Sequence, residues 1–128
     1  MAEVTVNTTP LEDDEQITFV QYLEMRGLKF SAMPLSTFTK SWAVKNRNRQ
    51  MGVRPGVPDI LVALPSIGLL WVELKRVKGG VLSQAQVEWL EVLNQCPGTE
   101  AVVAHGAEEA IAAVESLLPL GNKVTTEF

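Results

Sequence analysis

Three charged residues stand in two short runs that are otherwise almost wholly apolar. DILVAL (59–64) begins with Asp59, and LLWVELK (69–75) carries Glu73 and Lys75. A buried charge is costly unless it is paired or bound to a metal. Side chains alternate between the two faces of a strand, so Ile60, Val62, Leu64, Leu70, Val72 and Leu74 share an apolar face. Asp59, Leu61, Ala63, Trp71, Glu73 and Lys75 share the other. If PSIG turns as a hairpin about residues 66–67, Asp59 comes to lie opposite residues 73–75. Two carboxylates would then meet an ammonium at one end of a sheet. Hard carboxylate oxygens suit Mg²⁺, which keeps several waters and shares its shell with phosphate oxygens. A lysine beside them can hold or activate an attacking water and offset charge at phosphorus. The bland alternative is a structural salt bridge at a sheet edge.

The elements that must position these groups follow from caps, stops and periodicity. Thr9 and Pro10 open a helix with Glu12 as the third member of a capping box, and Gly27 stops it after Arg26. LKFSAMP (28–34) reads as a strand and STFTKS as a polar loop. WAVKNRNRQM (42–51) reads as a short basic helix ended by Gly52, and RPGVP (54–58) as a rigid turn. After the hairpin, Ser83 and Gln86 make a second capping box at the head of a helix that ends at CPG. AVVAH (101–105) is a buried strand and AEEAIAAVESLL (107–118) an amphipathic helix. The order predicts an α/β domain with a mixed sheet and helices on its faces. It spans 9–118, after a flexible lead-in at 1–8 and before a tail at 119–128.

On the first helix, Glu12, Gln16, Phe19 and Leu23 form one stripe at 100° per residue. Two polar groups thus lead an apolar face. Glu12 either only caps the helix or also faces inward, with Glu15 as the alternative. Gln86 needs no role beyond the capping box. Trp71, Trp89 and Trp42 read as packing residues, with Trp42, in the basic stretch, the best candidate for stacking on a base. His105 reads as a structural strand-end residue.

The chain has 128 residues and a net charge of −4, enough for one core. Its lone cysteine, Cys96, suits a reducing cytoplasm. No apolar run reaches the ~20 residues needed to cross a membrane, and the N-terminus lacks a signal-peptide pattern. The charge is uneven. Lys40, Lys45, Arg47, Arg49, Arg54, Lys75, Arg76 and Lys78 lie in a stretch whose only acids are Asp59 and Glu73. A basic middle in an acidic chain fits a localised phosphate-binding surface. Lys40, Lys45, Arg47, Arg49 and Arg54 are its candidate contacts. Such contacts position DNA without reading its sequence.

GVPD (56–59), then ELK (73–75), then SQAQ (83–86) resemble the PD-(D/E)xK nuclease superfamily. More narrowly, they resemble its VRR-NUC family, in the form found in phage proteins and at the end of larger DNA-repair nucleases. The resemblance covers roughly residues 12–115. It implies a restriction-endonuclease-like αβββαβ core and metal-dependent phosphodiester hydrolysis with Mg²⁺ or Mn²⁺. It also implies kinship with Holliday-junction resolvases that act as homodimers. Asp59, Glu73 and the Leu74 carbonyl would hold the metal, with Glu12 completing the site. Lys75 would act on the water, and Gln86 would lie close by. The reading that follows is a structure-selective DNA endonuclease acting on branched or flapped DNA. The alternatives are a general nicking or flap nuclease, a non-catalytic DNA-binding module, and a protein-interaction domain with a structural charge cluster.

Overall fold

The computed structural model describes residues 12–33 and 41–119. The Thr9–Pro10 cap, the lead-in, Lys40 and most of the tail lie outside the described residues. The elements are α1 (Glu12–Met25), β1 (Lys29–Ala32), α2 (Trp42–Gln50), β2 (Ile60–Leu64), β3 (Gly68–Lys75), α3 (Gln84–Asn94), β4 (Thr99–His105) and α4 (Ala107–Leu117). Apart from the inserted α2 and the closing α4, this is the expected αβββαβ order.

The sheet runs β1-β2-β3-β4 and is mixed. β1 and β2 pair antiparallel, β2 and β3 form the antiparallel hairpin, and β4 joins β3 in parallel. The hairpin turns at residues 65–67, and its ladder pairs Ile60 with Val72 and Leu64 with Gly68. Continued by one residue, this register sets Asp59 across from Glu73, as the sequence predicts.

Alternation sorts the two faces as expected. Ile60, Val62, Leu64, Leu70, Val72 and Leu74 are all buried, in one core with Phe19 and Leu23 of α1 and Ala107, Ala110 and Val114 of α4. Each large side chain removed from water there contributes roughly 1.5–3 kcal/mol. α1 leaves this core through a Schellman motif, with Leu28 N donating to Leu23 O and Gly27 N to Glu24 O. Tyr22 on α1 and Arg26 just beyond its end both reach Glu115 on α4, which ties the two helices at their far end.

The other face of the sheet receives α3, which lies over β4. Asn94, the last residue of α3, holds the backbone of Ala101 from both sides: Nδ2 donates to its oxygen (3.0 Å) and Oδ1 accepts from its nitrogen (2.8 Å). This pairing fixes α3 and occupies part of the open edge of β4. It also sets the first turn of α3 against the charged end of the hairpin.

Candidate active site

Asp59 enters from the 54–58 turn. A Cβ at Gly56 would lie 2.6 Å from the Ala85 backbone, so only glycine lets this turn press against the first turn of α3. Pro58 behind it is fully buried. Beyond the β2 ladder, Asp59 Oδ2 accepts the Leu74 amide at 2.7 Å. Its side chain thus takes over a backbone group of β3, and its carboxyl is fixed beside that strand.

Glu73 points to the face covered by α3 and is only 2% exposed. Its Oε2 accepts from Gln86 Nε2 at 2.9 Å and lies 3.7 Å from Lys75 Nζ. Its Oε1 is buried with no donor. An orphaned buried carboxylate oxygen is rare because it forfeits its hydration. Burial, and then the negative charge of Asp59, push the Glu73 carboxyl up to about 8, while Lys75 opposes the shift. Asp59 is also raised, chiefly by burial, against the pull of the Leu74 amide. Two facing carboxyls that both resist ionisation need a shared proton or a cation between them.

Lys75 is held from two sides. Its Nζ donates to Gln86 Oε1 at 3.1 Å. Its methylene stem lies flat on Gly80, where a Cβ would come within 2.6 Å of Lys75 Cβ. Nothing in the local sequence around Gly79 and Gly80 signals this close approach.

Gln86 caps α3 as its spacing predicts and also bonds the charged cluster. It is the third residue of the capping box, since Ser83 Oγ accepts from Gln86 N and Gln86 Oε1 accepts from Ser83 N. The same amide oxygen receives Lys75, and the amide nitrogen donates to Glu73.

The two glutamates of α1 have different partners. Glu12 is exposed, and its charge adds to those that raise Glu73. Glu15 Oε1 accepts from Ala107 N at 2.6 Å. The N-cap of α4 is Gly106, which has no side chain to offer, so Glu15 supplies that cap from another helix. Among the described residues, no three His, Cys, Asp or Glu side chains converge as a metal cage. The side chains that could hold a cation are therefore the two carboxylates of Asp59 and Glu73, leaving room for water and phosphate. That is the shell Mg²⁺ favours, and the orphaned Glu73 oxygen fits it.

Lys45, Arg47, Arg49 and Arg54 are all exposed. Arg54 Nη1 donates to the carbonyls of Arg49 and Val53 and so closes the C-terminal end of α2. α2 packs against none of the other described elements, so these cations are not brought onto the carboxylates. They connect to Asp59 through the 51–58 turn. Parallel pairing sets His105 beside Lys75, on the same face. Its Nδ1 lies 3.6 Å from Glu109 Oε1. Sequence reasoning left His105 out of the site, although its place at the end of a strand next to the hairpin was legible.

Comparison with known proteins agrees with this fold. A family model described as the VRR-NUC domain matches residues 39–108. A solved VRR-NUC domain protein superposes with a TM-score of 0.70 at 22% identity, covering 86% of this chain and 89% of its own. A second solved VRR-NUC domain gives 0.59 at 20% identity, covering 81% and 94%. Curated proteins yield no match. No helix among the described residues is long and apolar enough to cross a membrane.

Proposed function

Since this chain belongs to the VRR-NUC domain family, a family of nucleases, we propose that it is a Mg²⁺- or Mn²⁺-dependent, structure-selective DNA endonuclease. The observation that carries the reading is the buried, donorless Oε1 of Glu73 beside the Asp59 carboxyl. Asp59, Glu73 and the Leu74 carbonyl would hold the cation. When bound, it would lower the pKa of its water and take up charge developing on the phosphate.

The chain's own groups do the rest. With a cation bound, the Asp59 and Glu73 carboxyls would both be ionised, any proton they hold being released to solvent. Lys75 Nζ, aimed by Gln86 and Gly80, donates to the attacking water or to a phosphate oxygen. The charge of Glu12 adds to the acidic mouth. Lys40, Lys45, Arg47, Arg49 and Arg54 hold phosphates along the backbone, which fixes position without reading bases.

The substrate is branched or flapped DNA. Cutting a four-way junction needs two sites, and a two-fold homodimer is the commonest way to present them. The test is cleavage of four-way junction, flap, duplex and single-stranded DNA by the wild type, Glu73→Ala and Lys75→Ala. Each is assayed with Mg²⁺, Mn²⁺, Ca²⁺ or EDTA, with light scattering to give the assembly. The wild type should cut branched DNA in Mg²⁺ or Mn²⁺ only, and both variants should be inactive with DNA binding retained. Cleavage in EDTA, or a fully active Glu73→Ala, refutes the metal site. A monomer that nicks all forms alike refutes junction resolution and leaves a general nicking nuclease.

A further inference from the structure

α2 has only nine residues and packs against none of the other described helices or strands. An isolated helix of this length is marginal in water. It is held by its ends. Ser41 Oγ accepts from Val44 N at its start, and Arg54 and the Val53 amide return to the Arg49 and Asn48 carbonyls at its finish. Its first residue, Trp42, is 75% exposed.

A single exposed apolar residue is ordinary, but the neighbours of this one are not. Lys45 and Arg49 stand three and seven residues after Trp42, so at 100° per residue all three share one face. Lys45 is the immediate neighbour of the indole, and Arg49 lies about 10 Å along the axis. Residues 41–58 contain Lys45, Arg47, Arg49 and Arg54 and no acid. The occupant of this face must therefore be anionic. A second copy docked two-fold on the same face would set Lys45 and Arg49 against themselves.

Phosphate alone gives no use for an exposed indole. A flat aromatic surface flanked by cations matches a nucleic-acid strand whose base stacks while its phosphates pair. In a closed duplex the base faces are already covered by their neighbours. Only an unpaired base can lie on Trp42.

We propose that Trp42 is a stacking platform for an unpaired base, with Lys45 and Arg49 on the adjoining phosphates. It would make DNA with unpaired nucleotides the preferred substrate class. The inference rests on the nuclease reading and narrows its substrate. The 51–58 turn would then lead the bound strand towards Asp59.

The test is fluorescence anisotropy in Ca²⁺ with the whole chain, using single-stranded oligothymidylate, a flapped duplex and a blunt duplex. Trp42→Ala should weaken binding to the first two about tenfold or more, with little change for the blunt duplex. Trp42→Phe should keep most of the affinity. Lys45→Ala with Arg49→Ala should weaken all three and flatten the salt dependence. Equal losses on all three DNAs for Trp42→Ala, or no loss on single strands, would overturn the proposal. The two readings fail separately. If the wild type cuts no DNA in any metal but Trp42→Ala still loses single strands selectively, the platform stands and the nuclease falls. If Glu73→Ala is inactive while Trp42→Ala binds single strands normally, the platform falls and the nuclease stands.

Discussion

Replacing Glu73 by glutamine should make the metal-free protein more stable at alkaline pH, although it removes the residue on which the proposed chemistry depends. Glu73 has a carboxyl raised from the ordinary 4.5 to about 8. Its folded form thus keeps a proton that the unfolded chain releases over that window. The sign follows from linkage: the contribution is complete below about pH 4.5 and is lost as pH rises through 8. At 1.36 kcal/mol per pH unit, ionising Glu73 in place costs at most about 5 kcal/mol, a large share of a typical 5–15 kcal/mol total. The raised Asp59 carboxyl acts in the same direction. Glutamine stays neutral and can still accept from Gln86 Nε2. Urea unfolding in EDTA from pH 5 to 9 is the assay. The wild type should lose a few kcal/mol across this range, Glu73→Gln, which keeps only the Asp59 contribution, should lose clearly less, and the curves should cross before pH 8. Added Ca²⁺ or Mg²⁺ should rescue the wild type at pH 8 and leave the variant unmoved, since a ligand that binds only the folded form stabilises it by mass action. Wild-type stability that rises from pH 5 to 8, or a variant less stable than wild type at pH 8, would refute the account of Glu73.

Two further outcomes follow from the packing. Glu15→Gln should lower stability by about 1–2 kcal/mol, because a charge-assisted bond to the Ala107 amide is weakened; Glu12→Gln should leave the melting temperature unchanged but slow cleavage. Thermal melts and cleavage rates on both variants check this, and a slower Glu15→Gln with an unaffected Glu12→Gln would exchange the roles. Gly80→Ala should push the Lys75 stem aside, since the new Cβ would meet it at 2.6 Å. A fall of about tenfold or more in kcat with unchanged KM and metal dependence is expected, and full activity would show that the contact does not aim the lysine.

The sheet faces were legible because strand alternation is local and strict. Six apolar residues at even positions between Ile60 and Leu74 sufficed to assign the core, and the turn length then set Asp59 across from Glu73. The capping box at Ser83 was equally local. What sequence could not give was depth and long-range contact. Alternation puts Glu73 on a face, but its burial depends on α3 crossing that face, which Asn94 secures through Ala101. The Glu15 carboxylate caps a helix 92 residues further on, and nothing in either segment announces the other. Gly80 reads as flexible in isolation and becomes a rigid seat only once Lys75 lies on it. Spacing placed Gln86 in the capping box, but it could not show that the same amide has enough donors and acceptors to bond Glu73 and Lys75 as well.

The dual use of Gln86 also bears on when the site comes into being. Chains are made from the N-terminus, and domains fold as they emerge. Asp59, Glu73 and Lys75 are all in place in the polypeptide before Ser83 and Gln86 are added. A nascent chain that stops short of α3 carries every charge of the site but has no amide between Glu73 and Lys75. Winding the first turn of α3 is the event that aligns them. Under the proposed function, catalytic competence would thus be deferred until α3 is made, and a partly synthesised chain would hold the charged groups without their order.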